Sequence, residues 1–188
     1  MAYQSPNPFP EECANGINRV AAYQMYISDV YLTLAYSFTE PKVMPAFAVF
    51  LEHMSAVKWE QAKEFLRFLR RRNCINSVPF IQRANIGPLE TPEKALPDVV
   101  NLEEELTRIM EDLKTSASRA RETRLVKFTK DLLVKQNKHR RFLEQEILDY
   151  RRLEEYRQQR RLSENPAGAS VSGEDTTSGG STANLSAV

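Results

Sequence analysis

Cysteine is almost missing from this chain of 188 residues, which carries only Cys13 and Cys74. Neither stands in a CxxC pair or beside a histidine, so a disulfide framework and a cysteine-based zinc site are both excluded. A reducing compartment is the expectation. Long apolar runs are missing too: no stretch approaches the roughly 18 consecutive apolar residues that a spanning helix needs. The opening MAYQSPNPFPEEC has no basic residue followed by an apolar segment, so no secretory leader is expected there. A surplus of one charge sign is also absent. With 26 basic and 25 acidic side chains the formal charge is +1, which excludes a globally basic nucleic-acid binder or an acidic buffering protein while leaving room for opposite local patches. What remains is 41% hydrophobic and 27% charged residues with only six glycines. That composition fits a helix-rich globular protein without membrane spans, expected in the cytoplasm or, by passive passage, the nucleus.

Apolar spacing divides the chain into four helical stretches. From Glu11 to Phe38, the residues Ile17, Val20, Gln24, Ile27, Tyr31, Leu34 and Phe38 recur every three or four positions and fall on one stripe. Glu40-Pro41-Lys42 breaks it, because proline cannot continue a helix and biases Glu40 toward extended geometry. A second helix is expected from Pro45 to Arg72, with Phe47, Phe50, Met54, Val57, Gln61, Phe65 and Phe68 as its stripe and arginines at its end, where the dipole favours cations. Asn73 to Leu89, with Pro79, Gly87 and Pro88, reads as a long crossover. Thr91-Pro92 starts a third helix as N-cap and first helical residue. Its stripe is Val99, Leu102, Leu106, Ile109 or Met110, Leu113 and Ala117, with Pro97 expected to kink or fray its start. After a weak point at Ser116-Ala117-Ser118, a fourth helix carries Leu125, Phe128, Leu132, Gln136, His139, Leu143, Ile147, Tyr150 and Leu153.

From Ser163 onward the chain turns to Gly, Ser, Thr, Ala and Asn without Lys or Arg, which reads as a disordered tail. The expected organisation is an extension over 1–10, an all-α four-helix bundle over 11–161 and a tail over 162–188. A short first turn, a long second connection and a short third imply up-down-down-up order, the arrangement of ferritin-like bundles.

Scattered identities in register carry a resemblance to a known family. Ile17-Asn18-Arg19, Tyr26, Tyr31-Leu32 and Ala35-Tyr36-Ser37-Phe38 resemble the first helix of animal ferritins. Phe47-Ala48, His53-Met54-Ser55 and Glu60-Gln61-Ala62 are similar to the second helix, and Asn101-Leu102-Glu103 to the third. The likeness spans roughly Glu11 to Arg161.

An iron-oxidising centre in such a bundle needs several carboxylates and a histidine converging from facing helices. At the positions that the resemblance matches to those ligands stand Gln24 for a glutamate, Tyr31 retained, Lys58 for a glutamate, Gln61 for a histidine, Glu103 retained and Asn137 for a glutamine. One carboxylate and one ammonium would share the space, so ferroxidase activity is expected to be absent and no iron is expected inside the subunit. Two arrangements are open: Lys58 pairs with Glu103 inside the bundle, as in light, non-catalytic ferritin subunits, or it snorkels to solvent.

The positions matching the family's mineral-nucleating inner surface read His53, Ala56, Val57 and Glu60, which is mostly non-acidic. Lys127 and Lys130 stand where the resemblance implies pore carboxylates at the threefold axis. In a homomeric cage they would reverse the pore's sign and favour anions; otherwise they form a solvated face. Further along, Lys135, Lys138, Arg140, Arg141, Arg151, Arg152, Arg157, Arg160 and Arg161 alternate with Glu144, Glu146, Asp149, Glu154 and Glu155. That pattern suits a salt-bridged helix face or a surface for an anionic partner. A short fifth helix, which the resemblance implies at the fourfold axis, has no counterpart after Ser163.

The leading expectation is a non-catalytic, structural ferritin-like subunit without a cofactor of its own, self-associating as a dimer or a 24-mer, alone or mixed with active subunits. The alternatives are a helical adaptor or anion- or nucleic-acid-binding module on the same scaffold, and an altered metalloenzyme using Glu60, Glu103 and Tyr31.

Overall fold

A computed structural model of the chain describes residues 8–37, 45–81 and 92–164. Four helices account for most of it: α1 (Glu11–Ser37), α2 (Pro45–Arg71), α3 (Pro92–Arg119) and α4 (Thr123–Glu164). The expected turn at Glu40-Pro41-Lys42, the Thr91 cap, the latter part of the crossover and the tail beyond Glu164 lie outside the described residues. α4 runs past the boundary set at Arg161.

Most residues of the stripes read from spacing close the core, but Leu102 is half-buried, Leu153 is exposed, and Phe38 lies outside the described residues. On α1, Ile17, Val20, Gln24, Ile27, Tyr31 and Leu34 are all buried, and on α3 so are Val99, Leu106, Ile109, Met110, Leu113 and Ala117. Side-chain pairs fix the helix directions. Gln24 meets Gln61 and Ser28 meets Ser55, so α1 and α2 are antiparallel. Glu12 meets Ser116 and Tyr31 meets Glu103, so α3 also opposes α1. Phe128 packs on Phe65 and Phe68 while Phe142 packs on Phe50, so α4 opposes α2. The order is therefore up-down-down-up, an all-α ferritin-like bundle. Close approach of α1 to α3 depends on Gly16, where an added Cβ would stand 2.9 Å from Leu113 Cδ1.

Both described helix stops use the same device. Asn73 (φ 55°) follows α2 and Arg121 (φ 57°) follows α3, each in the left-handed region. Cys74 N–H donates to Leu69 O at 3.1 Å and Glu122 N–H to Ala117 O at 2.9 Å, the six-to-one bonds of a Schellman motif. Arg72 ties the two ends together. Its guanidinium pairs with Glu122 and lies 5.1 Å from the Phe9 ring centre and 5.8 Å from that of Phe68.

Two expectations need correction. α3 does not weaken at Ser116-Ala117-Ser118 but continues to Arg119: Ala117 is fully buried, Ser116 bonds Glu12 and Ser118 bonds the Lys114 carbonyl, so these residues are held by contacts. Pro97 is exposed, and α3 continues through it without fraying.

By contacts the chain divides into two compact units, Met1–Asp149 and Tyr150–Val188. The first contains the packed bundle. The described part of the second is the end of α4, almost wholly exposed beyond Tyr150, with Arg157 donating to Glu154 at 2.7 Å.

Candidate functional site

The polar residues that interrupt the apolar stripes meet near the middle of the bundle. Lys58 comes from α2, on the buried side between Met54 and Phe65. Glu103 comes from α3, one turn before Leu106, and Tyr31 comes from α1. Each is essentially inaccessible: Lys58 is 0%, Glu103 1% and Tyr31 1% exposed. Lys58 Nζ stands 2.6 Å from Glu103 Oε2, which selects the internal ion pair over the solvent-reaching lysine. Tyr31 Oη donates to Glu103 Oε1.

A fourth side chain completes the cluster. Lys58 Nζ donates to Gln136 Oε1 at 2.8 Å, and Gln136 Nε2 donates to Glu103 Oε2 and to the Glu103 carbonyl, the latter at 3.2 Å. The position matched to the family's glutamine was Asn137, which is only half-buried. The side chain that reaches the cluster is Gln136, one residue earlier and 1% exposed. Its place on the stripe between Leu132 and His139 was the available signal.

Every oxygen of the carboxylate is thus engaged by a donor of this chain, and the ammonium has two acceptors. The pair is neutral as a unit, and its hydrogen bonds offset part of the cost of burial. Burial lowers the Lys58 pKa, with the charge and hydrogen bond of Glu103 pulling the other way. Burial raises the Tyr31 pKa well above the ordinary phenol value, and the Glu103 charge raises it further. The phenol therefore serves as a fixed donor.

Gln24 and Gln61 are buried as well, joined by a long 3.4 Å contact from Gln24 Nε2 to Gln61 Oε1. Gln24 Oε1 is buried without a partner among the described residues. Ser28 Oγ donates to the Ser55 carbonyl at 2.9 Å, a contact that the sequence did not signal. Of the inner-surface positions, His53, Ala56 and Glu60 are exposed and Val57 is half-buried; Glu60 is paired with Lys63. Among the described residues no three of His, Cys, Asp and Glu converge. Lys127 and Lys130 are exposed and line an open cavity at the α3–α4 junction.

His139 lies beside the cluster on α4, half-buried, with Nδ1 unpartnered among the described residues. Burial holds its pKa below the ordinary 6.5; the Lys58 charge lowers it further, Glu103 opposes, and His53 and Lys135 add to the lowering. The unfolded chain takes up this proton near pH 6.5 and the folded chain only at lower pH. The stability contributed is present above pH 6.5 and is lost as pH falls through the depressed folded value. Urea midpoints measured across that window are expected to fall on acidification, and His139→Gln is expected to flatten the slope; an unchanged slope would assign it to other groups.

Known proteins bear on this geometry. A family model described as the ferritin-like domain matches residues 14–153. A ferritin light chain, oocyte isoform, from Xenopus laevis is 26% identical over 106 residues, covering 56% of this chain and 60% of that relative. With helix order, packing faces and the family match in agreement over most of its length, the chain belongs to the ferritin family as a divergent member.

Proposed function

We propose that this chain is a non-catalytic ferritin subunit, a structural part of an iron-storage cage, in which a lysine of the protein replaces the iron that oxidising relatives bind. The observation that carries the reading is the Lys58–Glu103 pair, 2.6 Å apart and closed to solvent.

The residues present do not fit an iron centre. A hard cation seeks several oxygen donors and an anionic surrounding. Here Gln24 and Gln61 offer neutral amides, Tyr31 is a protonated donor, and the single carboxylate is engaged by Tyr31, Lys58 and Gln136. An incoming ferrous ion would meet an ammonium at short range, where like charge is poorly screened. The description of the Xenopus relative as a light chain supports the same reading.

Without oxidation of its own, such a subunit contributes shell and surface, in a homomeric particle or mixed with active ferritin subunits. In a homomeric cage Lys127 and Lys130 would give the threefold pores a basic lining. A helical adaptor that keeps the fold and abandons iron is the alternative, and the basic cavity at the α3–α4 junction favours it.

Light scattering after size exclusion, with iron content measured on the same fractions, separates these readings. A cage-sized particle that oxidises ferrous iron no faster than buffer is expected. A particle of one or two chains would overturn the cage, and oxidation above the blank would overturn the loss of catalysis.

A further inference from the structure

We propose that the α3–α4 junction holds a phosphate-type oxyanion, gripped by Arg121, Lys127 and Lys130. The site lies within one chain and does not depend on the cage reading. Its cavity, about 470 Å³, is lined by Ser118, Arg121, Thr123, Val126, Lys127 and Lys130. That size falls within the range of small-molecule pockets. Three of the six lining residues are cations and none is an acid.

Charges of one sign crowded on a concave surface repel one another unless something neutralises them. No carboxylate does so here. Glu122, the acid next to Arg121, is turned away into its pair with Arg72. Asp131 follows Lys130 in sequence but does not line the cavity. Among the described residues none of the three cations has an ion-pair partner, whereas Lys63, Arg72, Arg108 and Lys114 all have one. The field left over favours an anion with several oxygens, able to accept from an arginine fork and two ammonium groups together. The hydroxyl of Thr123 adds a further donor, whereas that of Ser118 is already given to the Lys114 carbonyl at 2.8 Å.

The position of Arg121 supplies an independent observation. It occupies the left-handed residue that ends α3, at φ 57°, where a Cβ is penalised and glycine is preferred. At the matching stop of α2 the residue is Asn73, a type that tolerates this conformation. An arginine kept at a strained position, with its side chain lining a cationic cavity, is explained by what that side chain binds.

This separates a binding role from a structural one. Arg121→Gly is expected to raise the thermal midpoint while weakening anion binding. Titration calorimetry on the full chain, with inorganic phosphate and with tripolyphosphate at constant ionic strength, reads the affinity. Removing a charge-assisted contact costs roughly tenfold or more. The double variant Lys127→Ala with Lys130→Ala is therefore expected to weaken binding by at least about tenfold, and Lys135→Ala, outside the cavity, to leave it unchanged. Added chloride is expected to weaken binding by screening. Tighter binding of tripolyphosphate than of phosphate would assign an extended phosphate ligand, and equal binding a single oxyanion. The proposal is overturned if neither probe binds, if the double variant binds as the parent does, or if Arg121→Gly gains stability without losing affinity.

Discussion

Exchange of Lys58 for methionine is expected to cost about 3 to 5 kcal/mol of unfolding free energy at neutral pH, the range for breaking a buried ion pair from one side. Methionine keeps the unbranched length of the lysine stem, so the packing loss is small and the charge left behind dominates. That charge is the Glu103 carboxylate, 1% exposed, with Tyr31 and Gln136 still donating to it. Those two donors place the cost toward the lower end. The mirror change, Glu103→Gln, leaves a buried ammonium facing amide oxygens and is expected to cost as much or more. Combining the two removes both charges while an amide oxygen still accepts from Tyr31. The double variant should return to within about 1 to 2 kcal/mol of the parent, because well-packed neutral groups often match a buried pair. A urea-unfolding cycle over the four proteins gives the coupling energy directly. If Lys58→Met costs less than about 1 kcal/mol and shows no coupling, the ammonium reaches water and the pair is of the weak, solvated kind.

The bundle was legible because four amphipathic stripes cannot be satisfied singly. Residues such as Ile17, Val20, Ile27 and Leu34 are buried as their spacing requires. Breaks were less legible. Ser116-Ala117-Ser118 looked weak because serine competes with helical hydrogen bonds, but contacts to Glu12 and the Lys114 carbonyl hold it. The true stop at Arg121 lacks the glycine that normally marks a left-handed cap, so nothing in the residue types announced it. At the site, Gln24, Tyr31, Lys58, Gln61 and Glu103 are all buried. The α4 contributor was displaced by one residue, from Asn137 to Gln136. One position on a helix turns a side chain by about 100°, enough to exchange a half-buried group for a buried one. Scattered identities fix a helix more firmly than a register. The polar interruption of the stripe at Gln136 was the better guide.

Returning carboxylates and a histidine to the buried positions at the site should restore what the chain is proposed to have lost. In the variant Gln24→Glu, Lys58→Glu, Gln61→His, the neutral Lys58–Glu103 unit becomes a group of carboxylates with no cation among them. Like charges in a dry space raise one another's pKa values and destabilise the fold, so the metal-free variant is expected to unfold well below the parent. That loss is itself diagnostic, because an ion that binds only the folded state returns stability by mass action, about 2.7 kcal/mol at a hundred times its dissociation constant. Ferrous or zinc ions should therefore raise the unfolding midpoint of the variant and leave the parent unmoved. The thermal shift reports binding alone, and ferrous oxidation above the buffer blank in the variant would report chemistry separately. A parent midpoint that rises with ferrous iron, and ceases to rise when Glu103 is exchanged for glutamine, would mean that the lysine yields its place to the metal and that the internal pair is a gate instead of a replacement.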